Sequence, residues 1–141
     1  MKFKTRCFAK EMKLISKEHN QKTDNKSNLD LLAHGGDHGK YVYFIGIGGA
    51  GMSAIAKILI NEGYIVSGSD MKSSPVTYEL GELGVRINTK QDGKCLEPDT
   101  NLVITSAAIN ENNPDLRKAR LLGLKVVKYS EFLGVLMRTK Y

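Results

Sequence analysis

The strongest constraint in this 141-residue sequence is a continuous apolar run that ends on a glycine-rich turn and continues into an amphipathic stretch. Tyr41-Val42-Tyr43-Phe44-Ile45 has no polar alternation, the pattern of a strand buried on both faces of a parallel sheet. Gly46-Ile47-Gly48-Gly49-Ala50-Gly51 follows and satisfies G-x-G-x-x-G. Met52, Ile55, Ala56, Leu59 and Ile60 then recur at i, i+3, i+4, i+7 and i+8, one apolar stripe of a helix able to lie on a sheet. Strand, glycine turn and helix in that order are the context in which the motif has physical meaning. The first glycine makes the tight turn, the second removes a side chain where a diphosphate would approach, and the third lets the helix pack closely on the strand. Free N–H groups at the helix start and the positive end of its dipole favour an anion there. Gly49 adds room, and Ser53 adds a hydroxyl donor.

The alternation continues to the end of the chain. Gly63 is placed to stop the first helix, and residues 64–68 read as a second strand closed by Ser69-Asp70. Ser74 caps a helix with Pro75 at its first position and Val76, Leu80 and Leu83 on the inner face. Residues 85–87 and 101–105 are a third and a fourth strand. Asn113-Pro114 repeats the cap-plus-proline start, with Leu116, Ala119 and Leu122 inward and Gly123 as the stop. Residues 125–127 are a fifth strand, and Ser130 opens a last helix through about Arg138. Strands alternating with helices imply right-handed crossovers, hence an α/β, Rossmann-like three-layer fold around a parallel sheet of about five strands.

Asp70 stands at the end of the second strand, 19 residues beyond Gly51. In a dinucleotide site such a carboxylate takes a ribose hydroxyl pair, and elsewhere it caps a turn. The residues alone therefore admit an NAD-like ligand, as in a small regulatory or dehydrogenase domain, or another nucleotide diphosphate laid across the same crevice.

Residues 1–39 read differently, as a polar, basic extension, flexible or accessory to a domain at 40–141. Residues 1–40 hold nine Lys or Arg against five Asp or Glu, so they carry +4 of the chain's net +6. Acids interrupt the lysines and no aromatic platform accompanies them, so the reading is a solvated extension and no nucleic-acid partner. Phe8, Met12 and Ile15 could share one face of a short helix. Gly36-Asp37-His38-Gly39-Lys40-Tyr41 imitates a phosphate loop but lacks the Ser or Thr that would hold magnesium, and it precedes a strand where such a loop must follow one. His34 and His38 sit in a glycine-rich turn without a third ligand, which argues against metal. No apolar run approaches the roughly 20 residues of a membrane span. No secretory pattern opens the chain, and Cys7 and Cys95 lack CxxC spacing, so the expected setting is cytoplasmic with reduced thiols. Glu79, Glu82, Asp115 and Glu131 read as solvent-facing charges on helices, and no catalytic constellation emerges.

The wider text around the turn, residues 44–56 (F-I-G-I-G-G-A-G-M-S-A-I-A), resembles the start of the Mur ligases, in particular the members that join L-alanine to UDP-N-acetylmuramic acid. Gly68-Ser69-Asp70, Ser106-Ala107-Ala108-Ile109 leading to Asn113-Pro114, and Ser130-Glu131-Phe132-Leu133 ahead of Leu136-Met137-Arg138 agree in order and spacing. The resemblance covers residues 41 to about 139. It implies a domain that holds the UDP portion of UDP-N-acetylmuramic acid. Gly46, Gly48, Gly49, Ala50, Gly51, Met52 and Ser53 would then serve the diphosphate, Asp70 and Met71 would border the uridine, and Ser106 would stand at the crevice lip. One departure is Lys90-Gln91-Asp92, where the family usually has Gly-His before an Asp. The family activates its carboxylate with ATP and magnesium as an acyl phosphate, using a G-T-H-G-K-T loop that these 141 residues do not contain. The resemblance thus implies a binding domain without cofactor or metal of its own, inactive alone, with the other ligase domains as possible partners in trans.

Overall fold

The computed structural model describes residues 41–140, so the basic extension, the imitation phosphate loop, Cys7, His34 and His38 lie outside the described residues. Five strands form one fully parallel sheet: β1 (Tyr41–Ile45), β2 (Ile65–Ser69), β3 (Arg86–Asn88), β4 (Leu102–Thr105) and β5 (Val126–Lys128), in the order β3-β2-β1-β4-β5. Four helices alternate with them: α1 (Ala50–Asn61), α2 (Pro75–Glu82), α3 (Pro114–Leu121) and α4 (Tyr129–Lys140). The Rossmann-like expectation holds, with strand boundaries displaced by about one residue at β2, β3, β4 and β5.

β1 is central, and its alternating side chains divide the core in two. Val42 and Phe44 join Val66, Ile104 and Val127 under α1, α2 and α4, with Ile55, Leu59, Leu80 and Phe132 as the main helical contributions. Tyr43 and Ile45 face the other way, with Val103, and are covered by Leu116 and Ala119 of α3 and by Leu96. Because both faces are covered, β1 needs apolar residues at nearly every position, which explains the unbroken run in the sequence. The β3-to-β4 connection, residues 89–101, contains no helix, so the second face is the more thinly covered.

Local signals set the helix limits as expected. The Ser74 hydroxyl accepts from the Thr77 N–H, and the Thr77 hydroxyl accepts from the Ser74 N–H, a reciprocal capping box with Pro75 behind it. Asn113 Oδ1 accepts from the N–H groups of Asp115 and Leu116. Gly63 and Gly123 end α1 and α3 at positive φ, 92° and 68°. Two inward assignments fail: Leu83 is 51% exposed and Leu122 38% exposed, because α2 and α3 end one residue before them.

The largest correction concerns Asp115. It is not a solvent charge but is fully buried. Its Oδ2 accepts from Tyr43 Oη (3.0 Å) and Ser69 Oγ (2.6 Å), and its Oδ1 accepts from the Gly93 N–H (2.7 Å). A position in the first helical turn does not ensure exposure when that turn points into the sheet. Glu79 is solvent-facing as expected and pairs with Lys57 at 2.9 Å.

Burial raises the Tyr43 phenol above its usual value, with the Asp115 carboxylate as the next cause, and burial with Glu62 nearby pushes Tyr64 up to about 12. A raised folded value means the unfolded chain releases these protons first. Their stabilising contribution is therefore complete below the ordinary tyrosine pKa of 10.0 and is lost as pH rises beyond it. The melting temperature should fall steeply above about pH 10, and less steeply in Tyr43→Phe. Equal slopes for the two proteins in a pH series of thermal melts would show that Tyr43 ionises in the fold without cost.

Candidate functional site

In a parallel sheet of this order the chain leaves β1 toward β2 on one side and β4 toward β5 on the other. The crevice beyond the carboxyl ends of β1 and β4 is the topological switch point, where open α/β sheets bind ligands. The glycine turn occupies that place. Gly46 begins it at φ 85°, and Ser106 Oγ lies 4.0 Å from where a Gly46 side chain would start. The turn and the β4 end are thus brought together as the sequence suggested.

The backbone groups of the turn fall into two sets. Gly46 and Ile47 N–H both donate to the Ser69 carbonyl (2.8 and 3.0 Å), and Gly48 N–H donates to Asp70 Oδ2 (2.8 Å). Gly49 N–H closes back on the Gly46 carbonyl at 3.2 Å. Beyond them α1 begins at Ala50, and the N-cap Gly49 offers no side-chain cap. The N–H groups of Ala50, Gly51 and Met52 have no intrahelical acceptor, as in any first helical turn. No acidic side chain stands in that turn itself, and the nearby carboxylate, Asp70, is engaged by the Gly48 N–H. This arrangement can receive an anion on backbone donors alone.

Each residue singled out from the sequence takes a definite place. Gly49 and Ala50 are exposed at the turn, whereas Met52 and Ser53 are buried, Met52 as core beneath α1. The Ser53 hydroxyl donates to the Ala50 carbonyl (3.0 Å), so it serves its own helix. Asp70 is half-buried and acts as a turn cap: besides Gly48 it receives the Lys72 N–H on Oδ1 (2.9 Å), while its own N–H donates to the Asn88 carbonyl (3.0 Å). Met71 is 73% exposed at the rim, next to this carboxylate. Ser106 is half-buried at the opposite side and opens a depression of about 310 Å³ lined also by Thr105, Ile109, Arg120, Lys128 and Glu131. A larger hollow, about 700 Å³, lies over β2 and β3 around Tyr41, Ile65 and Arg86. The glycine turn does not line it, so volume alone does not locate the anion site.

Two glycines have different reasons from those expected. A β-carbon on Gly48 would stand 2.6 Å from Asp70 Oδ2 and 3.0 Å from Thr77 Cγ2. The missing side chain makes room for the protein's own carboxylate and for α2. A β-carbon on Gly51 would collide with the Tyr129 hydroxyl, so the third glycine admits the start of α4 and not the β1 strand. Sequence reasoning missed Tyr129 and Thr77 because both reach the turn from distant segments. The Lys90-Gln91-Asp92 stretch lies in the loop after β3: Gln91 Oε1 accepts from Asn113 Nδ2 (2.8 Å). Asp92 accepts from Asn88 and from the Lys94 N–H, and the latter bond is the main cause holding its carboxyl below the usual range.

A family profile described as "Mur ligase family, catalytic domain" matches residues 41–141. The chain belongs to the Mur ligase family. Among curated relatives, a UDP-N-acetylmuramate–L-alanine ligase of Ruegeria sp. is 50% identical over 99 residues, which is 70% of this chain and 21% of that protein. One from Psychrobacter sp. is 43% identical over 102 residues, covering 72% and 21%. In solved structures, the UDP-N-acetylmuramate–alanine ligase of Thermotoga maritima superposes with a TM-score of 0.67 at 31% identity, over 71% of this chain and 23% of that one. The UDP-N-acetylmuramate:L-alanyl-gamma-D-glutamyl-meso-diaminopimelate ligase of Neisseria meningitides gives 0.61 at 26% identity, over 67% and 30%. This Mur ligase chain spans about a fifth of the length of the curated relatives it matches.

If Gly48 is glycine because of Asp70, the two positions must be energetically coupled. Gly48→Ala should cost roughly 1–3 kcal/mol as a small-to-large change in a packed site. In an Asp70→Ala background, which removes the nearest obstacle, the same change should cost clearly less. Additive losses in a denaturation double-mutant cycle would show that the close approach does not govern the position.

Proposed function

We propose that residues 40–141 are the UDP-N-acetylmuramic acid-binding domain of an L-alanine-adding Mur ligase, acting in peptidoglycan precursor synthesis in the cytoplasm. The observation that carries this reading is the first turn of α1. It begins at the switch-point end of the sheet, and its N-cap Gly49 supplies no side-chain cap for its first N–H groups, in a chain that belongs to a family whose relatives are named for that UDP-sugar. The diphosphate would sit on the backbone from Gly48 to Ser53, with Gly46 setting the turn. Asp70 and Met71 would border the uridine, and Ser106 would stand at the lip leading into the Arg120–Lys128 depression. Both Asp70 oxygens already accept one backbone N–H each, yet each retains a lone pair for a ligand hydroxyl.

This domain binds and orients. Its backbone donors neutralise the diphosphate and its rim holds the nucleoside, which leaves the lactyl carboxylate to be presented elsewhere. ATP and magnesium would supply the activation of that carboxylate, on ligase domains that these residues do not include and that could be supplied in trans. Among the described residues no cluster of three metal-ligating side chains occurs and no helix is long and apolar enough to cross a membrane. The partner is read as the UDP-sugar.

Calorimetric titration of the 141-residue chain should give binding of UDP-N-acetylmuramic acid and weaker or no binding of NAD. Tighter NAD binding would replace this reading with the dinucleotide one. The pure chain should also release no phosphate from ATP when given the muramyl substrate and alanine. Turnover dependent on both would contradict a binding-only domain.

A further inference from the structure

We propose that Asp115 is a positioning residue for the diphosphate turn: from the first turn of α3 it fixes the end of β2, and the end of β2 holds the turn. The proposal rests on the functional reading above for what the turn binds. It does not depend on it for the mechanical link.

The link is a short chain of hydrogen bonds. Asp115 has no exposed surface, and all three groups bonded to its carboxylate are donors: Tyr43 Oη, Ser69 Oγ and Gly93 N–H. A carboxylate only accepts, so one charged group serves the adjacent strands β1 and β2 and the loop after β3. Ser69 is the relay. Its side chain is held by Asp115 at 2.6 Å, while its carbonyl accepts from two consecutive amides of the turn, Gly46 and Ile47. The next residue, Asp70, holds the third, Gly48. Amides 46, 47 and 48 are thus committed to the end of β2, and this fixes the backbone from which α1 begins.

The helix α3 and its N-cap also hold the loop after β3. Gly93 is held twice, its N–H by Asp115 and its carbonyl by Lys118 Nζ (2.6 Å), and Gln91 is held by Asn113. Asn113, Asp115 and Lys118 together tie the β3–β4 connection to α3. An asparagine at 115 would keep the shape but set an N–H₂ against a donor, and the arrangement could be kept only by turning a hydroxyl around. A purely structural role, satisfying the buried Tyr43 hydroxyl, would lower stability without changing the turn.

The test uses the full 141-residue chain as parent, Asp115→Asn, Ser69→Ala, and Leu124→Ala as a control. Leu124 packs against the same side of the sheet and has no polar link to the turn. Three quantities are read: melting temperature, the amide resonances of Gly46 and Ile47 in a ¹H–¹⁵N spectrum, and calorimetric affinity for UDP-N-acetylmuramic acid. Asp115→Asn should displace both resonances and weaken binding by about tenfold or more, the order of one charge-assisted hydrogen bond. Ser69→Ala should do the same to a smaller degree, whereas Leu124→Ala should lower the melting temperature and leave both readouts in place. Unmoved Gly46 and Ile47 resonances, or equal losses of affinity in Asp115→Asn and Leu124→Ala at equal destabilisation, would overturn the proposal. If Asp115→Asn does not fold, Ser69→Ala decides, since it leaves Asp115 bonded to Tyr43 and Gly93. If the parent binds no UDP-sugar, the functional reading fails while the resonances still decide the role of Asp115.

Discussion

The end of β2 lies against the turn that leaves β1, and this contact divides the turn's amides between protein and solvent. Three consecutive N–H groups, those of Gly46, Ile47 and Gly48, terminate on Ser69 and Asp70. Left unpaired in that half-buried position, each would cost about 1–3 kcal/mol. Once they are satisfied, and the Gly49 N–H has closed back on the Gly46 carbonyl, α1 begins directly at Ala50. Sheet register makes this possible: Ile45 and Ser69 are partners at the C-terminal ends of adjacent strands, so the residues just beyond them meet.

Side-chain volume then follows from that contact. Asp70 needs the space a Gly48 side chain would take, and Tyr129 needs the space at Gly51. The glycine spacing is therefore a record of internal packing as much as of ligand access. A ligand-centred account of G-x-G-x-x-G assigns each glycine to the phosphate, the turn or the strand. Here two of the three are fixed by neighbours from β2, α2 and α4. This also explains why the motif alone identifies ligand class poorly: a chain can need these glycines to fold whatever it binds.

The element order, the caps at Ser74 and Asn113, the glycine stops and the place of the turn were legible because each rests on local rules of period, capping and φ. The two faces of β1 were legible as well, from the unbroken apolar run. What was not legible is tertiary. Leu83 and Leu122 continue a helical stripe in sequence but fall just past their helix ends, where the chain turns away from the core. Asp115 occupies the favoured acidic position of a first helical turn, and only the fold decides that this turn points at the sheet. One signal did exist: Tyr43 is a phenol in the middle of a strand buried on both faces, and a buried phenol requires a partner. Its partner must come from whatever covers the second face, and α3 is the one helix there among the described residues. Tyr43 and Ser69 both point to that face, so a polar group in α3 was called for by the strands themselves.

The shifted groups among the described residues owe their shifts to burial and to backbone hydrogen bonds. Tyr43 and Tyr64 are pushed upward by burial, and Asp92 is held down by the Lys94 backbone and its neighbours. Asp70 and Asp115 spend their oxygens on backbone and hydroxyl donors that define the turn. Under the proposed function the attraction for an anion would come from peptide dipoles, which neither titrate nor depend on a flexible side chain. A diphosphate held on such donors is fixed in position by the backbone itself, so accuracy at the reacting end of a long substrate depends on how rigidly the turn is anchored. That anchoring runs through Ser69 to a fully buried carboxylate in the one helix on the thinner side of the sheet. Rigidity is thus supplied where hydrophobic cover is least, by charge-assisted hydrogen bonds in a low-dielectric interior.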